Sequence, residues 1–192
     1  GKDCEFDLLV SSPPYGDNKT TIPYGQHAYL PLQWIDLNDI DHKVSEDLLR
    51  TTLEIDSRSL GGKIKKFSTA EMDFILAKSP TLKKTIKRLS QNHSAKIKKV
   101  LSFIFDFDKS LELIVKSVKT NGYFIWTIGN RNVGETTIQN DKILIDLMSR
   151  RGAKLVKTIN RKILNKRMAL RNDSSTTMNK EKILIFRKSA TI

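Results

Sequence analysis

Phe6-Asp7-Leu8-Leu9-Val10-Ser11-Ser12-Pro13-Pro14-Tyr15 is the stretch from which the rest of the chain is read. A short apolar run is stopped by two prolines. The run has the composition of a buried parallel strand. Proline lacks the N–H that a sheet ladder or helix interior needs, so the strand must end before Pro13. Residues 16–27 are rich in Gly, Thr, Asn and Pro and read as a loop. Ala28 to Ile35 is expected to begin a helix, with Pro31 near its first turn.

Outward from this strand the pattern turns helical, from Ser45 to Lys119. Ser45-Glu46-Asp47-Leu48 offers an N-cap with early acids. Ser68-Thr69-Ala70-Glu71 has the spacing of a capping box, and Ser79-Pro80 starts a further helix. Val100 to Val118 is the most apolar helical stretch, which Asn121-Gly122 is expected to end. Tyr123 to Ile128 is a strand. Thr137 to Arg151 carries its apolar residues near one helical face and stops at Gly152. Lys154 to Ile163 and Lys182 to Arg187 are strands, separated by a basic, Ser/Thr-rich loop over 164–180. The order predicts an α/β fold, with the last two strands close enough for an antiparallel hairpin.

The chain has 192 residues, a net charge of +13 and a pI near 9.8. Such a surface attracts polyanions, nucleic acid above all. Residues 1–60 hold five Lys/Arg against eleven Asp/Glu; from Lys63 to Lys99 there are eleven basic residues against Glu71 and Asp73. A second basic block runs from Arg150 to the end, thirteen cations against Asp173 and Glu181. The blocks read equally well as two walls of a cleft or as two solvated faces. Cys4 is the only cysteine, which excludes an internal disulfide and zinc held by several cysteines. No apolar run approaches the roughly 20 residues of a membrane span, and the start lacks a signal-peptide core. A cytoplasmic protein of a bacterium or archaeon is expected. Gly1 in place of methionine points to a tag remnant or an excised fragment.

A Ser-Pro-Pro turn after a strand is stiff, rich in acceptors and poor in donors. Open α/β sheets bind ligands beyond the carboxyl ends of their strands. Such a turn suits a donor group, for example the exocyclic NH2 of cytosine or adenine, and the Tyr15 face suits stacking on a flipped base. Accepting hydrogen bonds from that NH2 aims its nitrogen lone pair at an electrophile. The plainer alternative is a rigid turn with Tyr15 packed into the core.

Phe6 to Tyr15 resembles motif IV of the DNA amino-methyltransferases, and the Ser-Pro-Pro-Tyr form is most similar to the N4-cytosine enzymes. Gly16 to Thr21, Tyr24-Gly25-Gln26, Leu32-Gln33-Trp34, Gly122 to Arg131, Lys166-Arg167-Met168 and Ile183 to Arg187 are also similar to segments of that family. Residues 40–110 are unmatched. The resemblance implies half of a Rossmann-like methyltransferase sheet with a C-terminal antiparallel hairpin and a helical insertion. It divides one structural domain into 1–39 (motif IV strand and base-binding loop), 40–110 (basic helical insertion, a DNA-recognition region) and 111–192 (remaining strands and helices). It implies S-adenosylmethionine as cofactor, double-stranded DNA as substrate and a restriction–modification setting. Ser12, Pro13, Pro14 and Tyr15 are the expected catalytic residues. Ser12 and the Pro13 carbonyl would hold the amino group and Tyr15 would stack.

The chain departs from the family in one respect. No two of its nine glycines are separated by a single residue, so the Phe-x-Gly-x-Gly turn that holds S-adenosylmethionine is missing. A second polypeptide or a missing segment is expected to carry it. An adenine-N6 enzyme and a non-catalytic DNA-binding fragment or subunit remain alternatives. Lys63, Lys65 and Lys66 after Gly61-Gly62, with Lys166 and Arg167, are the expected DNA contacts, within a basic region over 60–99. Asn130-Arg131 faces a cofactor or phosphate, or is a turn. Trp34 and Trp126 read as core, His27, His42 and His93 as surface, and Asp106 and Asp108 as ordinary helix carboxylates.

Overall fold

The computed structural model describes residues 6–16, 24–40, 46–92, 94–133, 135–162 and 180–189. Lys166, Arg167, His42 and His93 lie outside them. The order is β1 (Phe6–Ser11), α1 (Tyr24–Leu32), α2 (Leu37–Ile40), a 3-10 turn (Glu46–Leu49), α3 (Thr52–Arg58), α4 (Thr69–Lys78), α5 (Pro80–Asn92), α6 (Ser94–Ser117), β2 (Val118–Gly129), β3 (Arg131–Val133), β4 (Thr136–Ile138), α7 (Asn140–Ser149), β5 (Ala153–Lys162) and β6 (Lys180–Lys188). The mixed α/β class expected from the sequence is what the chain adopts.

The main sheet has the order β1-β2-β6-β5. β1 and β2 are parallel, with Ser11 beside Trp126. β6 runs antiparallel to β2 and to β5, which makes the expected C-terminal hairpin. One face carries Phe124, Trp126, Ile128, Leu184 and Phe186, all 2% exposed or less. α6 and α7 cover it, and Phe107 of α6 sets its ring edge against Trp126 at 6.0 Å. The helices form from the same pattern that buries them. α5 begins with proline, whose missing N–H costs nothing at that position, and buries Leu82, Thr85, Ile86 and Leu89 at helical spacing. Ser68 and Glu71 close the predicted capping box of α4 reciprocally.

Several expectations are corrected. β1 is parallel but not buried: it is an edge strand, and Phe6, Leu8 and Val10 are 54%, 51% and 67% exposed. With Tyr123 and Ile159, each 41% exposed, they line the sheet face opposite α6 and α7. Periodicity reports an apolar strand but not whether its second face has a cover. Asn121-Gly122 does not end the helix; α6 stops at Ser117 and β2 passes through both residues. Asn121 has φ 68°, and β1 skips from the Val118 partner to Tyr123 there, so the pair forms a bulge inside a strand. The first helix after β1 begins at Tyr24 rather than Ala28, because Gly25 lets it close on α3. A Cβ at Gly25 would lie 2.1 Å from the Thr52 carbonyl, and Gly25 N donates to Asp56 Oδ1 at 2.8 Å. Trp34 is 89% exposed, against its reading as core, whereas Trp126 is core as expected. The small β3–β4 hairpin takes the first residues of the helix predicted from Thr137.

Candidate nucleotide-base site and its clamp

The Ser12-Pro13-Pro14-Tyr15 turn leaves the carboxyl end of β1, where β2 also ends at Gly129 and β6 begins. Pro13 is buried, Pro14 and Tyr15 are half-buried and Ser12 is exposed. Tyr15 packs one side on the core. Its hydroxyl donates to Glu181 Oε1 at 2.7 Å. Burial, then that bond, pushes the phenol up to about 12, while a hydrogen bond with Ser12 pulls the other way. Tyr15 is therefore a neutral phenol tethered at its far end, and Glu181 in turn faces Arg161 at 3.7 Å.

A second tether acts on the backbone. Asn140, the first residue of α7 and 3% exposed, donates from Nδ2 to the Tyr15 carbonyl at 2.8 Å and to the Gly129 carbonyl at 3.0 Å. One side chain so ties the turn to the end of β2. Its neighbour Asp141 receives Lys182 at 2.6 Å, and Asp141 N binds Asn130 Oδ1 at 3.1 Å. Asn140 Oδ1 and Asp141 Oδ1 are buried acceptors without a hydrogen-bond partner among the described residues. Arg131 lies against the turn as well: a Cβ on Gly16 would sit 1.6 Å from its Nη1. Gly16 thus gives the Arg131 guanidinium room to approach the turn, with no backbone strain involved.

Sequence reasoning singled out the turn, Asn130 and Arg131, and these do converge. It missed Asn140, Asp141, Glu181 and Lys182. The only signal available for Asn140 was its place at the start of a helix following a strand end. Of the expected DNA contacts, Lys63, Lys65 and Lys66 do not gather at this site, and Lys166 and Arg167 lie outside the described residues. Lys63 and Lys66 are exposed on the connection between α3 and α4, while Lys65 is ion-paired with Asp106 and lies 4.7 Å over the Phe105 ring. Together with Arg58, Lys63 and Lys65 line a polar cavity of about 430 Å³ with Asp106 and Ser110. Asp106 and Asp108 are more than ordinary helix carboxylates: Asp108 is 4% exposed and accepts from both Lys78 and Arg151. No group of three or more His, Cys, Asp or Glu side chains suited to a metal occurs among the described residues. No helix there is long and apolar enough to cross a membrane.

Among the described residues no glycine-rich cradle for S-adenosylmethionine is formed: the Arg131 guanidinium lies beside Gly16, and Gly61 and Gly62 pack against Phe103 and the end of α3. What the arrangement does offer is a rigid, acceptor-rich turn with an aromatic ring held at two points.

No protein-family model matches the chain. Among solved structures, a Thermus thermophilus protein described provisionally as a DNA modification methylase aligns with a TM-score of 0.40 and 16% identity, over 52% of this chain and 42% of that one. At those values the likeness supports no conclusion. Among curated proteins, the type II methyltransferase M.MvaI of Kocuria varians is 34% identical over 194 residues. That alignment covers 97% of this chain and 41% of the relative. The sequence relationship supports the resemblance to DNA methyltransferases, and the chain spans about two fifths of the length of the relative it matches.

Proposed function

We propose that the chain is the base-holding part of an S-adenosylmethionine-dependent DNA methyltransferase of restriction–modification type, acting on the N4 amine of cytosine. The observation that carries this reading is the Ser12–Tyr15 turn at the carboxyl end of a parallel strand, tied down by Asn140 and Glu181. Similarity to a type II methyltransferase along 97% of the chain supports it. In this reading Ser12 Oγ and the Pro13 carbonyl accept hydrogen bonds from the target NH2. Those bonds draw the nitrogen lone pair out of conjugation and aim it. Pro14 stiffens the turn, and Tyr15 stacks on the flipped base. Residues 40–110, with Lys63, Lys65 and Lys66, and the basic segment with Lys166 and Arg167, serve the DNA backbone.

The methyl donor brings an electrophilic methyl on sulfur, and its binding belongs to a further segment or second polypeptide carrying a glycine-rich turn. The test is methyl transfer to duplex DNA by the chain joined with that part, followed by nucleoside mass spectrometry. N4-methylcytosine is the expected product. N6-methyladenine would move the assignment to the adenine enzymes. Transfer by the joined protein that persists with the Ser12–Tyr15 turn deleted would leave this chain a non-catalytic DNA-binding part.

A further inference from the structure

From Phe74 to Phe105 the chain has no Asp or Glu and eight Lys/Arg. α5 sorts its share of these onto one side. Leu82, Thr85, Ile86 and Leu89 are buried, while Lys83, Lys84, Lys87 and Arg88 are exposed. None of these four forms an ion pair among the described residues. The contrast with neighbouring cations is direct, since Lys65, Lys78 and Arg151 are each matched to a carboxylate. Like charges one helical turn apart repel, so a row of this kind without carboxylate partners is a favourable place for a polyanion to bind. Lys83 and Lys87, and likewise Lys84 and Arg88, are about 6 Å apart along the axis.

The placement of α5 ties this face to the candidate site. At the start of the helix, Ser79 Oγ and Thr81 N both bind Asp146 Oδ2, at 2.6 and 3.1 Å, in the second half of α7. α5 then packs along α7 and against β4, the strand that leads into Asn140. The helix therefore runs from the far end of α7 toward the end at which Asn140 holds the Tyr15 carbonyl. The later residues of the helix, Lys87 and Arg88 among them, are therefore the ones nearer that end of the sheet.

We propose that the Lys83, Lys84, Lys87 and Arg88 face of α5 is a docking surface for the phosphate backbone of double-stranded DNA, which it guides to the Ser12–Tyr15 turn. This rests on the reading of the chain as part of a DNA-modifying enzyme and assigns its principal backbone contact to α5. Contacts of this type position the duplex and carry no sequence information.

The experiment is a fluorescence-anisotropy titration of the full chain against a labelled duplex at several salt concentrations. Each phosphate contact adds about 0.9 to the slope of log affinity against log salt. Lys83→Gln, Lys84→Gln, Lys87→Gln and Arg88→Gln combined should lower that slope by about 3 to 4. An equal-charge control, Lys116→Gln, Lys119→Gln, Lys154→Gln and Arg187→Gln, lies at the opposite end of the sheet and should leave it nearly unchanged. Lys→Arg at 83, 84 and 87 should keep binding. Thermal melting checks that each variant is folded; should the fourfold variant not be, the pairs 83/87 and 84/88 are read separately, each lowering the slope by about 2. A wild-type slope retained by the folded α5 variants would overturn this surface and leave the DNA reading standing. Equal losses in variant and control would reduce it to diffuse net charge and overturn it. Failure of the wild-type chain to bind duplex DNA, or tighter binding to duplex RNA of the same sequence, would sink both.

Discussion

Tyr15 is held at both ends, by Glu181 through its hydroxyl and by Asn140 through its carbonyl. Its ring is thus available as a platform without being free to turn away. On the proposed reading, Tyr15→Ala in the joined, active protein would remove a stack worth about 1–3 kcal/mol, so the rate should fall roughly 5- to 150-fold. Tyr15→Phe keeps the ring and should retain most of that activity, though it releases the Glu181 bond. Ser12→Ala removes one of two acceptors and should cost about 0.5–1.5 kcal/mol of transition-state binding. Steady-state kinetics check all three, and a Tyr15→Ala protein that unfolds while Tyr15→Phe does not would make the residue a packing element instead. Asn140→Ala removes the donor from the buried Gly129 carbonyl and the part-buried Tyr15 carbonyl, so it should lower stability by about 1–3 kcal/mol and loosen the turn. A denaturant melt reads the first effect and the rate reads the second. Titration offers a further check. The phenol of Tyr15 is raised to about 12 in the folded chain from 10.0. The folded state therefore keeps a proton that the unfolded state loses first, and stability present below pH 10 is lost as the pH rises toward 12. Urea melts across that window should show a loss in the wild type that is smaller in Tyr15→Phe.

At the scale of elements, the helical region owes its arrangement to a few carboxylates acting between helices. Asp108 of α6 gathers Lys78 from the end of α4 and Arg151 from just after α7, with the Arg151 contact at 2.6 Å. Asp146 of α7 caps the start of α5. Removing one member of a buried ion group leaves the others uncompensated, which costs about 3–5 kcal/mol. Asp108→Ala should therefore destabilise the chain by that order, measured by calorimetric melting, and by far more than Glu112→Ala. Glu112 of α6 also binds a lysine, but both partners of that pair are more than half exposed, so water screens it.

For the molecule as a whole, the described residues cover the four-stranded sheet on one face only. Among the described residues, Phe6, Leu8 and Val10 lie on the uncovered face, and β1 is an edge strand. A parallel strand is ordinarily covered on both sides, and the chain spans 41% of the relative it matches. Among the described residues no glycine-rich turn for a methyl donor is assembled beside Ser12–Tyr15. Isothermal calorimetry on the isolated chain should accordingly show weak or no binding of S-adenosylmethionine. Micromolar binding by a chain shown to be monomeric by ultracentrifugation would contradict the division of labour proposed here.

The amino-acid sequence alone determined the local and periodic features. Proline ended β1, helical spacing marked α5, α6 and α7, the Ser68–Glu71 pair capped α4, and the turn with Tyr15 stood out by its acceptors and its aromatic face. These depend on neighbours within a few residues, which a linear reading contains. Tertiary structure alone decided which side of β1 is covered, that Asn121-Gly122 bulges within a strand instead of ending a helix, and that Trp34 is exposed. It alone also brought Asn140 to Tyr15 across 125 residues and Glu181 across 166. Such pairings follow from strand order and register, which place distant residues side by side and leave no periodic trace in either partner.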